Sequence, residues 1–382
     1  MNRWTMIRTG SATLPLHFGK APPWLINKMK ELGSAIFSAL IEEYDELEVL
    51  RRLSDPYWFQ CLSCVLGFDW HSSGTTTVTM GVIKSFLNPA EHRLAVVGGK
   101  GAKSRLAQTE IEGLADSLDI PSNRIEELKK ISRLTAKVDN AALQDGFQLY
   151  HHTMIIGEKA WAVVQQGMDN VNLYARRYHW LSTGLKSLVV EPHTAIISDI
   201  FKGSVLDMTA RDSGECRAAS LDLIKDNPKN LKPVFMRLKD SEQTTLTEPY
   251  KINTPNLTMP RRLDWVALQK AYEIQPSSYE ELLLVPGIGA AAVRALALIS
   301  DLLWGAPPSW RDPAKFSFAH GGKDGVPYPV DRRMMEKSTI ILRSAVEEAK
   351  IGRKDKLMAL KRITSFTNWV CSEYPTKSRR AK

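Results

Sequence analysis

A five-residue stretch in the carboxyl-terminal third, Val285-Pro286-Gly287-Ile288-Gly289, restricts this chain more than any other. Apolar residues recur at helical spacing on both sides of it: Tyr279, Leu283 and Leu284 before, and Val293, Leu296, Ala297 and Leu303 after. Gly287 and Gly289 allow backbone angles and a closeness of approach that a β-carbon would block. The pattern predicts two short helices joined by a tight corner, with the first amides of the second helix lacking intrahelical partners. Such amides are ready donors to an anionic oxygen.

At VPGIGAAAVRAL this segment resembles the helix-hairpin-helix motif of DNA repair and recombination proteins, which grips the nucleic-acid backbone without reading bases. The resemblance implies DNA contact through Gly287, Ile288, Gly289 and Arg294. Charge points the same way. The net charge is +9, and from Ala349 to Lys382 there are ten Lys or Arg against two acids, so the excess is concentrated in the tail. A basic tail after a phosphate-gripping motif favours a nucleic-acid partner through counterion release.

The 382 residues suffice for two domains, and 43% hydrophobic with 24% charged residues is ordinary for a soluble globular protein. The amino terminus lacks the apolar core of a signal peptide, and no stretch reaches the roughly 18 apolar residues that span a bilayer, so a cytoplasmic protein with no membrane association is expected. Cys61-x-x-Cys64 lies in an apolar run that reads as packing rather than as half of a zinc site.

Along the chain, residues 24–53 read as a helix, and Leu94-Ala95-Val96-Val97 as a buried strand entering the loop Gly98-Gly99-Lys100-Gly101-Ala102-Lys103-Ser104. That loop can cradle a phosphate, with Lys100 and Lys103 as its cations, although the P-loop spacing is absent. Residues 108–133 read as helical with a break at Pro121-Ser122. The densest polar segment follows, Thr135 to His152, and on a helix Asp145, Gln148 and His152 would share one face. Two strands, His152 to Ile156 and Trp161 to Gln166, flank the hairpin signal Gly157-Glu158-Lys159. Arg176 and Arg177 interleave with Tyr174, Tyr178, His179 and Trp180, a composition suited to phosphate contact and base stacking. The proline-interrupted stretch from Pro228 through Pro260 reads as linker. The expectation is an α/β (α+β) N-terminal domain over 1–240, a linker over 241–262, and an all-α helix-hairpin-helix DNA-binding domain with the basic tail over 263–382.

The segments TGSATLPLHFGKAPPWL, LSDPYWFQCLSCVLGFDWHSSGTTT, AKVDNAALQDGFQLYHH, QQGMD and ARRYHWLS together resemble an uncharacterised archaeal and bacterial family, domain of unknown function 763. That resemblance implies an α/β body joined to a helix-hairpin-helix and an association with DNA metabolism.

The chemistry has to come from the residues. A divalent-metal-dependent deoxyribonuclease acting in repair or recombination needs carboxylates or imidazoles to hold Mg²⁺ or Mn²⁺ beside the scissile phosphate. Asp69, His71, Asp139 and Asp145 are the candidate metal ligands, and Lys137, Gln148, His151 and Gln165 complete the candidate catalytic set. Asp145 followed by a strand pair loosely resembles the layout of restriction-type nucleases, with Gln where an acid or lysine belongs. One alternative is a base-excision glycosylase using Asp331; Ala291 stands where bifunctional members carry a lysine nucleophile, which excludes Schiff-base chemistry there. The other is a non-catalytic DNA-binding adaptor. No small-molecule cofactor is evident.

Overall fold

Alternation of buried side chains builds the centre of the molecule. In β1 (Leu94–Lys100), β2 (Leu143–Gln144), β3 (Gln148–Gly157), β4 (Trp161–Asp169), β5 (Tyr174–Leu181), β6 (Ala195–Ile197) and β7 (Leu206–Asp207), odd and even positions point to opposite sides. Strands β1-β3-β4-β5-β6 form one sheet in that order, every pair antiparallel, while β2 and β7 make a separate short ladder. A computed structural model describes residues 21–67, 74–172, 174–198, 200–245, 258–314 and 332–373.

Both faces of the sheet are covered by helices. Leu94, Val96, Ile155, Ala162 and Val164 meet α1 (Pro23–Glu43), α2 (Glu46–Ser54), α3 (Pro56–Leu66) and α4 (Gly74–Phe86). The short α5 (Pro89–His92) leads into β1. Ala95, Val97, Met154, Ile156, Val163 and Trp180 meet α6 (Ala107–Glu112), α7 (Ser122–Lys137), α8 (Gly214–Lys225), α9 (Pro228–Thr245), α10 (Trp265–Ile274), α11 (Tyr279–Leu284) and α12 (Ala290–Trp304). The last two helices, α13 (Arg332–Glu348) and α14 (Arg353–Glu373), return to the first face, where Leu342, Val346 and Ile363 join its core. Burying a Leu, Ile or Phe contributes about 1.5–3 kcal/mol, so these shared cores tie the carboxyl-terminal helices firmly to the sheet. Among the described residues no helix is long and apolar enough to cross a membrane.

The chain departs from its sequence pattern in four places. The helix expected over 24–53 breaks at Tyr44 because the Asp45 side chain caps a new helix, accepting from the Glu48 amide at 2.7 Å. The segment around Asp145 is not helical: after a five-residue π turn, Val138–Ala142, Gly146 sits at φ +83° and the chain enters β3. The stretch from Gln148 to His152, which the helical reading covered, is strand, and period two prevails there. The expected linker is helical as far as Thr245, with Pro228 tolerated in the first turn and Pro233 inside. The helices from Trp265 to Trp304 share the core of the α/β body instead of forming a separate hydrophobic unit.

Candidate functional site

Helix α7 presents Ile125, Leu128, Ile131 and Leu134 to the core at three-residue spacing, which leaves Arg133 on the outer side and turns Ser132 toward β3. Beside it the β1–β3 ladder sets Gly98, Gly99 and Lys100 opposite Thr153, His152 and His151. Gly98 is obligatory: its φ is +85°, and a β-carbon there would lie 2.3 Å from the His152 carbonyl oxygen. The loop is pinned by Glu110, which accepts from the Gly98 amide at 2.7 Å and pairs with Lys84 at 2.7 Å.

Between α7, the start of β3 and the loop lies a cleft of about 500 Å³. Arg105, Arg133 and Lys137 line it together with Gln148, Tyr150, His151, His152 and Ser132, and no Asp or Glu is among its lining residues. Lys100 and Lys103 are exposed on the adjoining loop, with Lys100 6.0 Å from the Tyr150 ring centre. Three cations with no carboxylate among the lining residues make a site for an anion. Burial lowers the Lys137 pKa, and its ammonium donates to the Ile288 carbonyl. That bond brings the α11–α12 corner to the rim, where Leu284 also lines the cleft. Gln144 adds a second tie, donating to the Ala290 carbonyl at 2.8 Å.

At the corner itself Gly287 has φ +93°, and a β-carbon would meet Ala267 Cβ at 2.5 Å, so the turn closes against α10. Gly289 has nothing within 4 Å of its would-be β-carbon. Among the described residues the amides of Gly289, Ala290 and Ala291 donate to no other backbone or side-chain group. Ile288 is fully buried, so its side chain is packing. Arg294 stacks 5.5 Å from the Trp310 ring centre and donates to the Thr258 carbonyl at 2.8 Å.

A buried polar chain runs inward from the cleft. Register places His152 opposite Gln165 on one face of the sheet. Ser132 Oγ lies 2.9 Å from His152 Nε2, and His152 Nδ1 lies 2.9 Å from Gln165 Oε1. Gln165 Nε2 donates to Asp139 Oδ2 at 2.5 Å, Trp180 Nε1 donates to the same oxygen at 3.0 Å, and His193 Nε2 donates to Oδ1 at 2.5 Å. Burial lowers the His152 pKa, and burial with His152 and Lys100 nearby holds His151 down at about 3. Both imidazoles are therefore neutral near pH 7.

The remaining candidates have other places. Asp145 is 3% exposed and receives Arg176 at 3.0 Å, Tyr178 Oη at 2.7 Å and the Phe147 amide at 3.0 Å. Arg176 also pairs with Asp312 at 2.7 Å, and its guanidinium lies 4.5 Å from the Phe147 ring centre. On the opposite face Arg177 donates to His179 Nε2 at 2.9 Å and to Gln60 at 3.3 Å. Neither arginine can meet DNA, since they are 0% and 1% exposed. Of the expected metal ligands, Asp139 and Asp145 occupy separate networks, and among the described residues no three His, Cys, Asp or Glu could hold an ion. Asp69, His71 and Asp331 lie outside the described residues. The sequence reading passed over Ser132, Arg133, Arg105, His193 and Asp312. No spacing joins them, though Arg105 directly follows the lysine-rich loop already singled out.

Comparison with known proteins gives a match over residues 10–330 to a family described as "Protein of unknown function (DUF763)". No curated protein and no solved structure matches the chain.

Proposed function

The chain belongs to the DUF763 family, and from that premise we propose that it is a nucleic-acid-binding protein that takes a phosphate backbone into the cleft between α7, β3 and the glycine-lysine loop. One observation carries the reading: Arg105, Arg133 and Lys137 line a cleft of about 500 Å³ that no carboxylate lines. A polyanion gains from such a site by releasing its counterions, and the exposed Lys100 and Lys103 extend the basic surface beyond the rim. The α11–α12 corner supports it, since unpartnered amides at a helix start complement a phosphate oxygen. We take the ligand to be a single strand, whose flexible backbone can enter a cleft of this volume.

A metal-dependent nuclease built on Asp139 and Asp145 has no support from the geometry, because both carboxylates already accept hydrogen bonds inside closed networks. Fluorescence anisotropy with labelled single- and double-stranded oligonucleotides tests the proposal. Arg105→Glu with Arg133→Glu should weaken single-strand binding about tenfold or more and flatten its salt dependence by about two phosphate contacts. Unchanged affinity in the folded double variant would overturn the reading.

A further inference from the structure

Ser132 behaves unlike Ser63 and Ser220, two other buried serines within helices. Those two donate to the carbonyl four residues back, at 2.9 and 2.7 Å. Ser132 instead sends its hydroxyl to His152 Nε2 at 2.9 Å. Proton positions follow from the neighbours. Gln165 Nε2 faces Asp139 Oδ2 and the Thr135 carbonyl, both acceptors, so the amide orientation is settled and Oε1 points at the imidazole. His152 therefore carries its hydrogen on Nδ1, donates it to Gln165, and offers the Nε2 lone pair to Ser132. This is the atom order of nucleophile, base and orienting group in a serine triad, with Gln165 in the third place and Asp139 behind it. Ser132 and His152 both line the cleft that Arg105, Arg133 and Lys137 make cationic.

We propose that Ser132 is a nucleophile toward phosphodiesters, with His152 as its base and Gln165 as the positioning residue, so that the cleft cuts the strand it binds without a metal ion. The proposal rests on the nucleic-acid reading of the cleft. As Ser132 Oγ bonds to phosphorus, its proton passes to His152 Nε2. The bond from phosphorus to the leaving ester oxygen breaks, and that oxygen takes the proton back from His152. Water, deprotonated by His152, then attacks the phosphoserine ester and restores the hydroxyl. Arg105, Arg133 and Lys137 supply the positive charge that a phosphoryl transition state requires.

The test uses the full chain and end-labelled single-stranded oligonucleotides in EDTA. Expected are cleavage by the parent, loss of about 100-fold or more in Ser132→Ala and in His152→Asn, and retained oligonucleotide affinity and melting temperature in Ser132→Ala. Ser132→Cys keeps a nucleophile in place and should accumulate an adduct seen by intact mass after denaturing quench. If the parent binds oligonucleotide but releases no product and forms no adduct, or if cleavage needs added metal or survives in folded Ser132→Ala, the nucleophile is overturned while the binding reading stands. If the parent binds no oligonucleotide, the reading of the cleft fails first.

Discussion

At the scale of single residues, charge burial decides which polar groups serve the surface and which serve the fold. Asp312 is 8% exposed as a residue, yet its carboxylate holds Arg176 by two bonds of 2.7 and 2.9 Å and accepts the Lys202 amide at 2.8 Å. Removing one partner of a buried ion pair leaves an uncompensated charge, and that costs about 3–5 kcal/mol. Asp312→Ala should lower stability by about that amount, read as a shift in the urea midpoint, without altering nucleic-acid affinity measured in the folded range. An unchanged midpoint would show that Asp145 alone suffices for Arg176. The same principle explains why Arg176 and Arg177 looked like nucleic-acid contacts in the sequence. Guanidinium beside aromatic rings is the composition both of a stacking surface and of a buried cation packed on Phe147 or Phe59.

At the scale of elements, the two glycines of the α11–α12 corner have different tasks. Gly287 is fixed by its positive φ and by Ala267 at 2.5 Å from a would-be β-carbon, so Gly287→Ala should destabilise the corner measurably. Gly289 has extended φ and open space around it, so Gly289→Val should melt near the parent temperature while oligonucleotide affinity falls severalfold in anisotropy titrations. Equal binding by both proteins would remove the corner from the interface. The corner was legible because its signal is local: two glycines at fixed offset between two amphipathic runs. The β3–β4 hairpin was legible for the same reason, its Gly157 amide bonding to the Ala160 carbonyl at 2.9 Å. The π turn and Gly146 were not, since one short irregularity switches the residues from Gln148 to His151 from a helical to a strand period.

At the scale of the whole molecule, two apolar cores lie on opposite faces of one sheet, and each combines segments far apart in the chain. Leu268, Leu282 and Leu296 pack with Met154 and Trp180, while Leu342 and Ile363 pack with Phe37 and Ile155. Unfolding should therefore be a single cooperative transition, with tryptophan fluorescence and far-ultraviolet circular dichroism giving coincident urea curves. Two resolved transitions would mean that the carboxyl-terminal helices fold apart from the sheet. The sequence by itself determined whatever rests on neighbours along the chain: the helix corner, the buried strand entering the glycine-lysine loop, the hairpin, the excess of positive charge and, through its motifs, the family. Only the tertiary structure decided that Ser132, His152, Gln165 and Asp139 form one hydrogen-bonded line, that Asp145 answers Arg176, and that the loop and the corner flank the same cleft. Those pairings depend on strand register and on which face of the sheet each side chain takes, and neither leaves a fixed spacing in the chain for a reader to find.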